Sequence, residues 1–428
     1  MNPPSLIVLI NLNNYLGGGE TLMVRFAEYL QGKGVEFLCL CAVGSYVHAD
    51  LQRKGIIPEA ILAINTSPDY YYLDNCDRQL LVDEIAFKVT NRPVRFVSFC
   101  MRDLYTVNAF ASRLSCVAII HLILHIQDDL YVGQTITEKI SYYLTGRRRF
   151  GNARIINFNR RILSMLNKHG GLICMADLIA VAWRRNFGIN IPQNNIVPLP
   201  SFVAMTKASI LDNTNRKIIW IGRLVDFKIP ALLAMIDFLA VAIDYRLTIV
   251  GDGDRRALLM RMKKHNISVG RVIFLGEVPY AELGNVICDH SIGYAMGTSL
   301  IELARFRIPV IVALASYAHT TFSRPICGGL FFNQPRGCDG SELAVYSEDE
   351  IDTTIPDAVR QIEIDWGTLA DACYNYARNN YAVEANFKAY EMIIEDAAWL
   401  SDADKKNKIP TAPLARRIIY LLKNFWQR

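Results

Sequence analysis

Thr248-Ile249-Val250-Gly251-Asp252-Gly253-Asp254 and, further on, Ser291-Ile292-Gly293-Tyr294-Ala295-Met296-Gly297-Thr298-Ser299-Leu300-Ile301-Glu302-Leu303 decide the reading of this chain. The first is an apolar strand ending in a glycine turn. The second is a strand, a loop of small residues and a helix start that carries one acid, Glu302. Met296, Gly297, Thr298 and Ser299 offer free backbone N–H groups at a helix start, which is what a diphosphate needs. Upstream, Ile218-Ile219-Trp220-Ile221-Gly222-Arg223-Leu224-Val225-Asp226-Phe227-Lys228 is a strand followed by a loop with two cations. Downstream, Arg307-Ile308-Pro309-Val310-Ile311-Val312-Ala313 ends the helix and opens another buried strand. Together these segments predict a site for a nucleoside diphosphate compound.

The same alternation extends in both directions. Further strands are expected at 272–275 and 328–332, then helices from Ile355 to about Leu400. In the first half, Leu6-Ile7-Val8-Leu9-Ile10 is a continuous apolar run, as in a parallel strand covered on both faces. Gly17-Gly18-Gly19-Glu20-Thr21 and a helix with Leu22, Phe26 and Leu30 on one face follow it. Strands are also expected at 35–40, 94–99, 117–125, 171–175 and 194–199. The first glycine loop lacks the GxGxxG spacing, and the strand after it does not end in an acid, which disfavours a nicotinamide or flavin enzyme. Its glycines, Gly17 to Gly19, let backbone approach a substrate closely or make a plain tight turn.

A length of 428 residues predicts two cores, with 52% hydrophobic and 20% charged residues placing both in the packed globular class. The α/β pattern divides into residues 1–205, a first Rossmann-like domain, and 206–400, a second one with closing helices. The polar stretch Thr206 to Arg216 marks the boundary. No apolar run reaches the roughly 18 residues of a spanning helix, and no basic region precedes the first apolar segment, so a cytoplasmic protein is expected. The ten cysteines form no CxxC pair and sit in apolar segments, which predicts reduced thiols. No histidine spacing suggests a metal. Asp252-Gly253-Asp254 does match a DxD signature for divalent metals, but it lies in a glycine turn beside Arg255, Arg256 and Arg261, where a structural turn is expected.

The formal charge of +5 is concentrated at the end of the chain: residues 401–428 hold seven Lys or Arg against two Asp. There Leu414, Ile418, Leu421, Leu422 and Phe425 make one helical stripe, with Arg416, Arg417, Lys423 and Arg428 largely off it. This basic amphipathic tail predicts either attachment to an anionic membrane surface or docking on the protein's own body. A second basic cluster, Arg147 to Arg149, continues through Arg154, Arg160 and Arg161.

Taken in order, Ile221-Gly222-Arg223-Leu224 with Lys228, Val250-Gly251-Asp252-Gly253, Phe274-Leu275-Gly276, and Gly297 to Leu303 with Pro309-Val310-Ile311 resemble the retaining glycosyltransferases of family 4. The resemblance implies the GT-B fold, two Rossmann-like domains facing across a cleft. It also implies transfer of a sugar from a nucleotide donor to a glycan or lipid-linked glycan, without metal or other cofactor. On this resemblance Arg223 and Lys228 neutralise the donor diphosphate, Glu302 binds the ribose hydroxyls, and Gly251 and the 296–299 loop belong to the donor site. His125, at the end of a first-domain strand, is the candidate near the sugar or acceptor. The family pattern Glu-x7-Glu is broken, because Tyr294 stands where the first glutamate belongs. That departure keeps open a catalytically silent membrane-associated partner of another transferase, while a sugar-nucleotide epimerase of the same fold is the enzymatic rival.

Overall fold

A computed structural model describes residues 5–13, 17–64, 79, 82–83, 85, 89, 92–124, 153–204, 215–316, 322–340 and 351–406. Among them the first domain has six strands: β1 (Leu6–Asn11), β2 (Phe37–Ala42), β3 (Ile61–Ile64), β4 (Val94–Ser98), β5 (Val117–Ile123) and β6 (Leu172–Cys174). They form one parallel sheet in the order β3-β2-β1-β4-β5-β6. The helices are α1 (Gly18–Gly32), α2 (Tyr46–Arg53), α3 (Met101–Ala111), α4 (Ala153–Lys168) and α5 (Asp177–Phe187). All six residues of β1 and all five of β4 are buried, as expected of central strands with helices on both faces.

The second domain repeats the plan. Strands β7 (Lys217–Ile221), β8 (Arg246–Val250), β9 (Val272–Gly276), β10 (Ile292–Ala295) and β11 (Val310–Val312) are parallel, in the order β11-β10-β7-β8-β9. Between and after them run α6 (Ile229–Val241), α7 (Arg256–Lys264), α8 (Tyr280–Ile287), α9 (Thr298–Ala304), α10 (Ile355–Ile364), α11 (Trp366–Tyr381) and α12 (Val383–Asp396). In each sheet the order reverses beside the domain's own first strand, between β1 and β4 and between β7 and β10. Such a reversal opens a crevice at the carboxyl ends of the strands, where this class of sheet takes its ligands.

Three sequence expectations change. The segment 194–199 holds a short 3-10 turn and a single bridge from Ile196 to Cys174 rather than a strand. The segment 328–332 pairs only through Leu330 with Ile311 before turning into a 3-10 helix. Strand β3, not expected from the sequence, extends the first sheet beyond β2.

The closing helix α12 packs against the first domain. Phe387 stacks on Phe26 with ring centroids 5.1 Å apart, and Tyr390 meets the same ring edge-on at 5.9 Å. Arg95 then donates to the carbonyls of Ile394 and Ala397 at 2.6 and 2.7 Å. The crossing itself is bonded on both sides, since Ser201 and Phe202 donate to the Tyr381 carbonyl at 3.0 and 2.7 Å.

The nine described cysteines are unpaired. Among the described residues no helix is long and apolar enough to cross a membrane. The Arg147 to Arg149 cluster and the tail stripe lie outside the described residues; Arg160 and Arg161 are exposed on α4.

Candidate active site

The crevice of the second sheet is walled by the loops that leave β7, β8 and β10. After β7, the Gly222 N–H donates to the Val250 carbonyl at 2.9 Å and the Leu224 N–H to the Asp252 carbonyl at 2.8 Å. The two loops run so close that a side chain on the second could not fit. A Cβ on Gly251 would lie 2.2 Å from the Gly222 oxygen, and one on Gly253 2.3 Å from the Leu224 oxygen; their φ angles of 129° and 140° suit glycine alone. The glycine turn therefore fixes the loop that carries Arg223 and Lys228. Arg223 is exposed at its tip, while the Lys228 ammonium folds back to 3.2 Å from where a Gly222 Cβ would sit. Burial, and then the Arg223 guanidinium, pull the Lys228 pKa below the usual lysine value, with Asp339 acting in the opposite direction.

Asp252 and Asp254 are turned to the arginines beside them. Arg255 donates to Asp252 at 3.2 Å, and Arg256 grips Asp254 at 2.6 to 3.0 Å. These hydrogen bonds and the turn's own N–H groups hold both carboxyls below their ordinary pKa, Asp254 at about 2. Both side chains thus serve as the turn's caps, and among the described residues no group of three His, Cys, Asp or Glu stands together as a cation site.

Across the crevice, β10 ends at Ala295, Met296 is buried, and Gly297 is the N-cap of α9. This helix has only seven residues, so the free N–H groups of Thr298 and Ser299 offer more than its small dipole. Gly297 itself donates to the Asp339 carbonyl at 2.7 Å. Glu302 lies one turn further, and its Oε2 accepts from Arg305 at 3.1 Å and Tyr280 at 3.3 Å. Arg305 also donates to the Tyr280 oxygen at 2.8 Å, closing a three-membered cluster. Burial raises the Glu302 pKa, against the opposing pull of Arg305, Tyr280 and Arg25. Arg25 belongs to α1, so the first domain faces Glu302 across the cleft.

Tyr294 points the other way. It is fully buried, its ring centroid lies 5.6 Å from that of Trp220, and its hydroxyl donates to the Ala231 carbonyl in α6.

At the first sheet's crevice, Gly17 caps α1, and Gly19 packs so near Leu124 and Phe99 that a Cβ would stand 3.2 and 3.5 Å from them; Gly18 faces open space. Beneath this loop lies a buried polar cluster. Asn11 and Asn13 donate to Glu20 Oε1 at 3.2 and 2.9 Å, while the Leu12 N–H and the Cys100 thiol each donate to Asp103 at 3.0 Å. The site candidate His125 lies outside the described residues.

The structure brings Arg223, Lys228, Gly251 and Gly297 to the second sheet's crevice, adding Asp339, Tyr280 and Arg305 there and Arg25, Glu20 and Asp103 on the first domain, none of which the sequence singles out. Two of these had a local signal: Arg305 follows Glu302 by one helical turn, and Glu20 follows the glycine run directly. Asp339 had none.

Two Rossmann-like domains facing across a cleft, with sheets ordered 3-2-1-4-5-6 and 3-2-1-4-5 in each domain's own count, define the GT-B fold. Neither a protein-family model nor a curated protein matches the chain by sequence. Solved structures do match in three dimensions. A glycosyltransferase from Rickettsia africae is similar at TM-score 0.60 and 12% identity, over 92% of this chain and 98% of its own. HepE from Anabaena, in complex with UDP and glucose, is similar at TM-score 0.56 and 12% identity, over 92% and 100%. The lipopolysaccharide outer core galactosyltransferase WaaB is similar at TM-score 0.56 and 14% identity, over 92% and 100%. At such identities the likeness lies in the fold, and the site's chemistry has to be argued from its own residues.

Proposed function

We propose that this chain is a glycosyltransferase that moves a hexosyl group, with retention, from a nucleoside diphosphate donor to a glycan or lipid-linked glycan in cell-surface polysaccharide synthesis. One observation carries the reading: Lys228, held by the glycine turn, shares the β7/β10 switch point with the Gly297 loop, and Glu302 follows one turn on. Cations and N–H groups at that place suit a diphosphate, whose negative charge grows as the sugar departs. Glu302, one helical turn beyond the phosphate loop, is suited to accept the ribose hydroxyls, and Arg305 and Tyr280 orient its carboxylate. The departing phosphate takes the acceptor's proton, with His125 hydrogen-bonded to the sugar or assisting that transfer. No cofactor takes part beyond the donor itself.

Two relatives in fold agree with this chemistry, one holding UDP and glucose, the other a galactosyltransferase of the lipopolysaccharide outer core. A lipid-linked acceptor places the enzyme on the cytoplasmic face of the inner membrane, held by residues 409–428. A second reading, a catalytically silent partner of another transferase, is favoured by Tyr294, whose place in the core leaves the usual sugar-binding glutamate without a counterpart there. Calorimetric titration of the full chain with UDP and with GDP separates the two. Saturable binding of one of them is expected of the enzyme, and binding of neither would sink that reading.

A further inference from the structure

Tyr294 leaves one question at the donor site: which group meets the sugar. The chain from Arg336 to Gly340 passes directly beside the phosphate loop. Its placement is fixed at both ends. Arg336 exchanges backbone hydrogen bonds with Asp177 at the start of α5, donating to the carboxylate at 3.2 Å and accepting from the N–H at 2.9 Å. Gly340 accepts from the Ala315 N–H at 2.8 Å, so close to Ala313 that a Cβ would meet its carbonyl oxygen at 2.1 Å. Between these anchors Asp339 is 7% exposed, and its backbone carbonyl holds the Gly297 N–H. Its Oδ2 lies 3.9 Å from the point where a Gly297 Cβ would be, and its charge is felt by Lys228 on the opposite wall.

We propose that Asp339 is the residue that recognises the donor's sugar, its carboxylate accepting hydrogen bonds from hydroxyls of a neutral hexopyranosyl group. The inference rests on the nucleotide-sugar reading of the site. A carboxylate beside a diphosphate repels it, whereas beside a sugar it can accept from two adjacent hydroxyls at once. The phosphates belong between the Thr298 and Ser299 N–H groups and the Lys228 and Arg223 cations of the other wall, and the sugar beyond them, toward Asp339. The carboxylate comes from a loop far along the chain from Glu302, which is how the site can lack an acid at position 294 and still hold one. A uronic acid in the donor would set two carboxylates against each other and be disfavoured.

The test uses the full chain and whichever of UDP or GDP binds it, alone and as its hexose conjugate. Asp339→Asn keeps the side chain's shape and the backbone bond to Gly297. The variant is expected to bind the plain nucleotide within about threefold of the native chain and to bind the nucleotide hexose about tenfold or more weaker, the worth of a charge-assisted hydrogen bond. An equal loss for both ligands would mark Asp339 as a mere counter-ion of Lys228 and overturn the inference, as would no loss at all. A second arm needs no variant: the native chain should prefer the nucleotide hexose over the matching nucleotide uronic acid by about tenfold or more. Equal binding of those two overturns the inference while leaving the nucleotide site intact. Failure of the native chain to bind any nucleotide removes the underlying reading and this inference together.

Discussion

The phenol of Tyr294 donates to the carbonyl of Ala231 at 3.0 Å, so the side chain eight places before Glu302 belongs to the core between β10 and α6. Placing there the first acid of a Glu-x7-Glu pattern should therefore harm the protein. Tyr294→Phe loses one buried hydrogen bond and is expected to cost about 1 kcal/mol, whereas Tyr294→Glu puts a charge among Trp220 and its neighbours and should cost more than about 3 kcal/mol. Denaturant unfolding of the two variants checks the order. A stable Tyr294→Glu protein with raised activity would contradict this placement.

Lys228 is a partly buried cation of the crevice, and its pKa is lowered chiefly by burial and then by Arg223. If it neutralises the departing diphosphate, Lys228→Ala should remove roughly 2 to 4 kcal/mol of transition-state stabilisation, a loss of about 30- to 1,000-fold in turnover. Circular dichroism should show the fold retained. Turnover should also survive EDTA, and full activity of the folded variant would refute the role.

Asp103 gives a pH prediction. Burial raises its pKa from 3.8 to about 7, against the lowering influence of the Cys100 thiol and the Leu12 N–H; Glu20 adds to the rise and Arg102 opposes it. The folded chain thus keeps a proton that the unfolded chain has lost. Stability from this group is fullest below about pH 4 and declines as pH rises toward 7, beyond which the penalty is constant. Asp103→Asn removes that dependence. Relative to the native chain, the variant should gain about 2 to 3 kcal/mol between pH 5 and pH 8. Denaturant melts at the two pH values measure it, and an unchanged difference would show that the carboxyl does not titrate there.

The strands were legible because parallel strands buried on both faces are simple to write: Leu6 to Ile10 and Ile218 to Ile221 are unbroken apolar runs. Strand β3 escaped because Ile61 to Ile64 is four residues long and follows a proline turn. The segment 328–332 misled because apolar residues after two glycines resemble a strand, yet only Leu330 reaches the neighbouring chain. At the site, glycine turns and the acid of α9 could be read because they are local. The break at Tyr294 could also be read, but not the direction of its side chain, which the packing of α6 decides. Asp339 could not be found at all, since it reaches the crevice only through the path of the chain between Asp177 and Ala315.

Residues 409–428 are expected to bind membranes by their apolar stripe and their cations, each cation near an anionic surface contributing on the order of 1 kcal/mol. The full chain should sediment with anionic vesicles, less so as salt rises, and deletion of 409–428 should abolish most of this binding. Vesicle binding unchanged by the deletion would dismiss the anchor, with the stripe then assigned to the protein's own surface.

The return of α12 to the first domain bears on how the molecule is made. The aromatic cluster around Phe26 and the hydrogen bonds of Arg95 are completed by residues from Phe387 to Ala397, whereas the described strands of the second domain lie between Lys217 and Val312. On a ribosome the amino-terminal half therefore waits, with one face of α1 uncovered, until nearly the last described segment has emerged. The second domain, whose core closes with residues up to Tyr381, can assemble before then, so the first domain is the later of the two to be completed.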